Sequence, residues 1–167
     1  MGLEGKEESK MPRRKYKKKE IKPDLIYKSK EVAKLINYLI QDGKKTVAEK
    51  LVYSAFEMVK KQKLNPLEVL HKALENVAPP HEVRPRRIGG ASYLVPTETR
   101  TTRKLFLALN WLIESAKRRS NKEYHCFDQK LYKELMDAYQ GQGEAVAKRR
   151  QVEKLAEANR AFAHFKW

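Results

Sequence analysis

Acidic residues, cysteine and long apolar runs are all scarce in this 167-residue chain. Only 21 Asp+Glu stand against 37 Lys+Arg, which leaves a formal net charge of +16. Charge this unbalanced on a short chain points to a polyanionic partner. One cysteine, Cys126, is present, so an intrachain disulfide is excluded and a reducing compartment is expected. No apolar run approaches the roughly 20 residues that span a bilayer. The opening Met1-Gly2-Leu3-Glu4-Gly5-Lys6-Glu7-Glu8 lacks the apolar stretch of a signal peptide, and its three glutamates do not suit a transit peptide. What remains is an ordinary hydrophobic content of 41% beside a high charged fraction of 35%. Those proportions fit one domain with a modest core and exclude a wholly disordered chain. No segment reads as a helix with a continuously basic polar face, so nucleic acid is a better partner than a membrane surface.

The charge is unevenly placed. Residues 12–30 carry nine basic side chains, Arg13, Arg14, Lys15, Lys17, Lys18, Lys19, Lys22, Lys28 and Lys30, against Glu20 and Asp24. Without apolar periodicity before Val32, this reads as an arm over residues 1–28 that orders mainly on its partner, ahead of a helical domain over 29–167. Ser29 is set to cap a first helix with Val32, Leu35, Ile36, Leu39 and Ile40 on one stripe, ending near Asp42-Gly43. Thr46-Val47-Ala48-Glu49 has the capping-box pattern for a second, with Val47, Leu51, Val52, Ala55 and Val59 inside. Asn65 and Pro66 open a third, which buries Val69, Leu70, Ala73, Leu74 and Val77.

Periodicity then breaks at Ala78-Pro79-Pro80. Two extended stretches flank Gly89-Gly90-Ala91, the pattern of a β-hairpin, and Pro79, Pro80, Pro85 and Pro96 confine it to an unsheltered two-stranded ribbon over about 80–98. Such a ribbon is marginal alone and takes its rigidity from its base or its ligand. Thr101 or Thr102 is expected to cap a fourth helix with Leu105, Ala108, Leu109, Leu112, Ile113 and Ala116 inside and Lys117-Arg118-Arg119 at its C-terminal end. A fifth helix carries Leu131, Leu135, Ala138 and Tyr139 up to Gly141-Gln142-Gly143. A sixth, over about 144–163, is weakly apolar, with Val152, Leu155, Ala156 and Asn159 inward. The expected architecture is mainly α, a bundle of about six helices with a protruding two-stranded β-ribbon and a basic N-terminal arm.

Catalytic and metal chemistry find little support. His71, His81, His125, His164 and Cys126 lack the spacing of a zinc site. Lys45 interrupts the Gly-Lys-Thr order in Gly43-Lys44-Lys45-Thr46, and Tyr38 stands where a phosphate loop has its first glycine. No nucleophile elbow or zinc-protease motif occurs, and most acidic residues stand beside Lys or Arg as solvated pairs. No enzyme, metal or cofactor is expected. Nucleic-acid binding draws on the arm, the ribbon and the helix ends. Arg84, Arg86 and the facing Tyr93 lie on a ribbon narrow enough to enter a groove, where guanidinium groups fork onto phosphates and the ring can stack. A basic ribbon also suits DNA, so composition leaves RNA and DNA both open. Trp111 is expected to pack rather than touch a base, and Trp167 is ambiguous.

Several segments together resemble one family. They are Met11-Pro12-Arg13-Arg14, Asp42-Gly43-Lys44-Lys45, Leu74-Glu75-Asn76-Val77, Arg86-Arg87-Ile88-Gly89-Gly90-Ala91, Val95-Pro96 and Ala156-Glu157-Ala158-Asn159-Arg160-Ala161-Phe162-Ala163-His164. In this order and spacing the chain is similar to the bacterial-type ribosomal protein S-seven family of the small subunit. The resemblance implies a six-helix fold with a ribbon, in agreement with the element count above. It also implies binding to the 3′ major domain of small-subunit ribosomal RNA, a part in assembling the head of the subunit, and a place beside exit-site transfer RNA and the messenger exit, among head and platform proteins and away from any membrane.

Carried onto this chain, the resemblance makes Arg13, Arg14, Lys15, Lys17, Lys18, Lys19, Lys22, Lys44, Lys45, Arg100, Arg103, Arg118 and Arg119 the ribosomal-RNA contacts. The ribbon residues Arg84, Arg86, Arg87, Gly89, Gly90 and Tyr93 fall near the exit site, with Lys148, Arg149 and Arg150 close by. Residues 1–10, the stretch 121–127, and Gln151, Glu153 and Lys154 depart from the family's pattern. A bacterial cytoplasmic ribosome is the expected setting, with a mitochondrial or plastid ribosome as the alternative. A DNA-binding regulator using the ribbon or a helix, and an RNA-modifying enzyme, are the readings from other classes.

Overall fold

Ser29 starts the first element as its chemistry dictates. Its Oγ accepts the Glu31 N–H at 3.2 Å, opening α1 (Lys30–Leu39). The computed structural model describes residues 21–165. After α1 the chain reverses through Asp42 and Gly43, both at positive φ, 51° and 72°, a geometry in which glycine is unstrained. The helix that follows, α2 (Lys45–Lys61), departs from expectation at its start. Its N-cap is Lys44 with no side-chain cap, so Thr46 does not form a capping box. The tight turn supplies the entry instead, with the Lys44 N–H donating to the Gln41 carbonyl and the Lys45 N–H to that of Gly43.

The phase of α2 also differs. Ala48, Val52, Ala55, Phe56 and Val59 are buried while Val47 is half exposed. Val47 and Phe56 are nine positions apart, and at about 100° per residue they lie on opposite faces of one helix. Phe56 has the larger apolar surface and takes the inside.

Asn65 caps α3 (Pro66–Val77) by accepting the Leu67 N–H at 3.1 Å, with Pro66 at the first helical position. The ribbon pairs β1 (His81–Ile88) with β2 (Ala91–Glu98) in antiparallel register, Arg86 opposite Tyr93 and Ile88 opposite Ala91. Gly89 and Gly90 close it at φ 57° and 89°, the two positive dihedrals that a two-residue hairpin turn needs. At the base the Thr99 N–H donates to the Pro80 carbonyl.

Next comes α4 (Thr101–Arg118), capped by the extended Arg100 rather than by Thr101 or Thr102. The Arg100 carbonyl accepts the N–H groups of both Arg103 and Lys104, and this closes the first turn without a hydroxyl. Then follow α5 (Phe127–Tyr139) and α6 (Glu144–Ala158). α6 ends at Ala158, short of the expected 163: the Asn159 N–H still donates to the Leu155 carbonyl, which the Asn159 Nδ2 shares, and the Asn159 carbonyl then accepts the Phe162 N–H only three residues on, the tighter spacing of a 3₁₀ turn. A 3₁₀ turn, Arg160–Phe165, continues the chain. Leu155 and Tyr139, expected inside, are exposed.

All six α-helices of the described residues contribute to one core. Leu35 and Ile36, Phe56, Leu70, Leu109 and Leu112, and Leu131 and Leu135 are its largest members, joined by Ala145 and Val146 of α6. Each such aliphatic or aromatic side chain contributes roughly 1.5–3 kcal/mol by leaving water. The charge pattern groups residues up to 28 with the arm, yet the chain around Asp24 is folded onto this body. Tyr27 meets Phe56 edge-on with ring centroids 5.1 Å apart, and the buried Asp24 accepts the Tyr53 hydroxyl at 2.7 Å.

Candidate nucleic-acid interface

The cations expected to hold phosphate fall into two groups, those left to solvent and those bound by the protein's own acids and carbonyls. Lys22, Lys44, Arg87 and Arg100 are exposed and form no ion pair with a described residue. Lys45 reaches Glu49 at 3.6 Å, a loose pair one turn along α2, which a phosphate can displace because exposed pairs of this kind are worth little. Lys22 and Lys45 flank one groove between the N-terminal turn, α1 and α2. Arg13, Arg14, Lys15, Lys17, Lys18, Lys19 and Trp167 lie outside the described residues.

At the ribbon base two arginines share one acid. Glu82 is buried, and its carboxylate accepts Arg84 Nε at 2.9 Å together with a closer contact from Arg84 Nη2, and Arg103 Nε at 3.1 Å. Burial pushes the Glu82 carboxyl upward, but the hydrogen bonds from Arg84 and Arg103 outweigh it and hold the group below its ordinary range. Arg103 also lies over the Phe106 ring, 5.1 Å from its centroid, a cation–π contact. Farther out, Arg87 is exposed and Arg86 half-buried. Gly89 and Gly90 form the exposed tip, where an added Cβ would meet nothing within 4 Å.

Tyr93 is not free to stack on a base. Its ring packs against Phe162 at 5.2 Å and Phe165 at 5.7 Å, so the 3₁₀ turn clasps β2. The rigidity that the sequence assigns to the base or a ligand comes from this C-terminal clasp and from Glu82.

Where α4, α5 and α6 meet, the basic residues are knitted into the fold. Arg119 donates through Nε to Glu134 at 2.8 Å and through Nη2 to Asp137 at 2.6 Å. Burial opposes its charge, yet these two acids outweigh it and raise its affinity for the proton. Glu134 is fully buried, and its other oxygen accepts the Ala145 N–H at 3.1 Å, capping α6 from a neighbouring helix. Lys130, also buried, donates to the Arg119 carbonyl at the end of α4.

Arg118 bridges Glu114 and Glu144, and Lys148 reaches Glu114 at 2.9 Å. The Lys148 hydrogen bond is the main cause holding the Glu114 carboxyl below its usual range. Arg149 donates to the Asn76 carbonyl and to Glu153, and Arg150 donates to the Gly141 carbonyl. Asn76 in turn donates to the carbonyls of Ala138 and Tyr139, tying α3 to the end of α5. Trp111 is half-buried against the core. Among the described residues no group of three or more His, Cys, Asp or Glu is arranged to hold a metal ion.

Comparison with known sequences fits this arrangement. The profile of the family described as Ribosomal protein S7p/S5e matches residues 11–160. The chain belongs to that family. The small ribosomal subunit protein uS7 of Thermodesulfovibrio yellowstonii is 50% identical over 159 residues, 94% of this chain and all of the relative. The uS7 proteins of Thermotoga maritima, 46% identical over 158 residues, and Pelagibacter ubique, 49% identical over 151 residues covering 95% of the relative, are similar too.

In this S7p/S5e member the acids that organise the cations escaped the sequence reading. Lys130 and Glu134 sit four apart beside Leu131, Leu135 and Ala138, on the very stripe that marks the buried face of α5, and that phase is the signal that exposes them. Asp24 precedes a short turn and carries the side chain that favours one. Glu82 gives no such signal, because its two arginine partners come from β1 and α4.

Proposed function

We propose that this chain is a non-enzymatic constituent of the small ribosomal subunit that binds the 3′ major domain of its RNA and nucleates assembly of the head. Membership of the S7p/S5e family across residues 11–160 carries this reading. The geometry supports it, since the net charge of +16 is divided between cations that hold the bundle together and cations left to solvent at the Asp24 turn, the Gly43 loop and the ribbon. Lys22, Lys44, Lys45, Arg100 and the arm cations Arg13 to Lys19 hold ribosomal RNA. The ribbon tip around Arg87, Gly89 and Gly90 lies beside exit-site transfer RNA and the messenger exit, with head and platform proteins as neighbours and a bacterial cytoplasmic ribosome as the setting.

Arg119 and Arg84 serve the fold first. Arg119 is enclosed by Glu134 and Asp137, and Arg84, though exposed, is paired with the buried Glu82, so their guanidinium groups orient elements that carry the RNA-facing side chains.

The test is equilibrium binding, across a salt series, to an RNA fragment of the 3′ major domain, to unrelated folded RNA and to duplex DNA of equal length. If about six to ten phosphates are neutralised, affinity falls by roughly 10³ to 10⁵ between about 50 and 200 mM salt. Selective, tight binding to the ribosomal fragment is expected. Equal binding to all three contradicts the reading, and preference for the DNA favours a regulator.

A further inference from the structure

We propose that the groove between the Asp24 turn, α1 and the start of α2 is a binding pocket for one unstacked nucleotide of a folded RNA. This rests on the reading of the chain as a ribosomal-RNA binder and names a site within it.

The first observation is an exposed apolar edge that the protein holds in place. Leu25 is 91% exposed and Ile26 63%, the two most exposed large apolar side chains among the described residues. A slack loop would fold such residues inward, but this one is fixed. The Asp24 carboxylate accepts the N–H groups of Ile26 at 3.1 Å and Tyr27 at 2.9 Å and the Tyr53 hydroxyl at 2.7 Å. Backbone bonds from the Asp24 N–H to the Ser29 carbonyl and from the Lys28 N–H to the Asp24 carbonyl close the same turn. Burial and the Asp24 hydrogen bond both push the Tyr53 hydroxyl well above its ordinary range, so it remains a donor.

The second observation is the groove beside Leu25, a cavity of about 380 Å³. Leu25, Ile21 and Ile36 give it apolar walls, Asn37 adds an amide, and Lys22 and Lys45 stand beside them. The Asn37 side chain is exposed and makes no hydrogen bond to a described residue. Two carboxylates line the groove as well, and both are engaged, Asp24 inside its turn and Glu49 with Lys45.

Apolar walls for the face of a base, an amide for its edge and cations for its phosphates are the three chemistries of a nucleotide. RNA loops and bulges offer bases splayed out of the stack, which a regular duplex does not. Aliphatic side chains serve as base-contacting wedges in known nucleic-acid complexes. Lys22 and Lys45 both line the groove, so a strand whose base sits against Leu25 has two cations within reach of its phosphates.

Base contacts and phosphate contacts separate by salt dependence, because only phosphate contacts release counterions. The 3′ major-domain RNA fragment is titrated with wild type, with Leu25→Ser combined with Ile26→Ser, with Asn37→Ala and with Lys22→Ala, each checked by circular dichroism. The Leu25/Ile26 pair and Asn37→Ala are expected to weaken binding about fivefold to tenfold at every salt concentration with an unchanged slope, toward the low end for base stacking. Lys22→Ala is expected to reduce the slope by about 0.7 to 0.9. A photo-crosslinking amino acid at position 25 should join the RNA at one nucleotide.

Wild-type affinity in the Leu25/Ile26 variant, or cross-links in assembled subunits that reach only protein, overturns the pocket while leaving the ribosomal reading intact. Failure of the wild type itself to select the fragment overturns both.

Discussion

Glu134 shows how a single buried charge is made tolerable. It has no exposed surface, and its two oxygens are divided between Arg119 and the Ala145 N–H, so neither is left without a donor. Removing one member of a buried pair strands the other and costs about 3–5 kcal/mol. Glu134→Ala is expected near 3 kcal/mol, the lower end, because Asp137 still holds Arg119. Glu134→Gln keeps an acceptor for Ala145 and should cost less. Urea denaturation of the two variants measures the difference, and equal stability of both with wild type would remove the residue from the account.

Glu82 makes a pH-dependent counterpart. Its carboxyl is held below the ordinary range by Arg84 and Arg103, so its stabilisation is fully present above that range and is lost as pH falls through the lowered value. Amide exchange at the ribbon base, corrected for the intrinsic pH dependence of exchange, should therefore accelerate on acidification in wild type. It should be insensitive over the same window in Glu82→Gln.

At the scale of elements, the ribbon and α6 behave as one assembly. Glu134 fixes the start of α6, Arg149 ties its middle to α3 through the Asn76 carbonyl, and the 3₁₀ turn beyond it sets Phe162 and Phe165 against Tyr93. A two-stranded hairpin is marginal in water without such support. Phe162→Ala combined with Phe165→Ala is therefore expected to raise hydrogen exchange in Arg87 to Leu94 at least tenfold, with helical circular dichroism unchanged. Unchanged exchange would mean that Glu82 alone steadies the ribbon.

Much of this level is legible in the sequence, because caps, stripes and turns are local chemistry. Ser29, Asn65-Pro66 and Gly89-Gly90 act as their types require, and the stripes of α3, α4 and α5 bury almost wholly as spaced. The failures are contests that tertiary packing decides. Phe56 rotates Val47 outward, Arg100 replaces a hydroxyl cap with its carbonyl, and Tyr93 meets two phenylalanines about 70 positions away. The candidate cations are all visible as residues, but their division into structural and solvent-facing sets depends on acids brought in by the fold.

Over the whole molecule, charge is graded rather than uniformly spread. Acids gather where α4, α5 and α6 meet and at the ribbon base, where they neutralise neighbouring cations. The Asp24 turn, the Gly43 loop and the ribbon tip keep theirs, and the sequence continues from the turn into the basic run Arg13 to Lys19. Changing Arg13, Arg14, Lys17, Lys18 and Lys19 to alanine should weaken RNA binding and flatten its salt dependence without altering circular dichroism. A net charge of +16 on such a frame suits a protein that draws separate RNA helices together by offsetting their mutual repulsion.

Chemical footprinting of the 3′ major domain at stoichiometric protein, paired with small-angle scattering of the same complex, tests that scaffold directly. Simultaneous protection of several helices distant in the RNA sequence, with a smaller radius of gyration than the free RNA, is the predicted result. Protection confined to one helix with no compaction would contradict it.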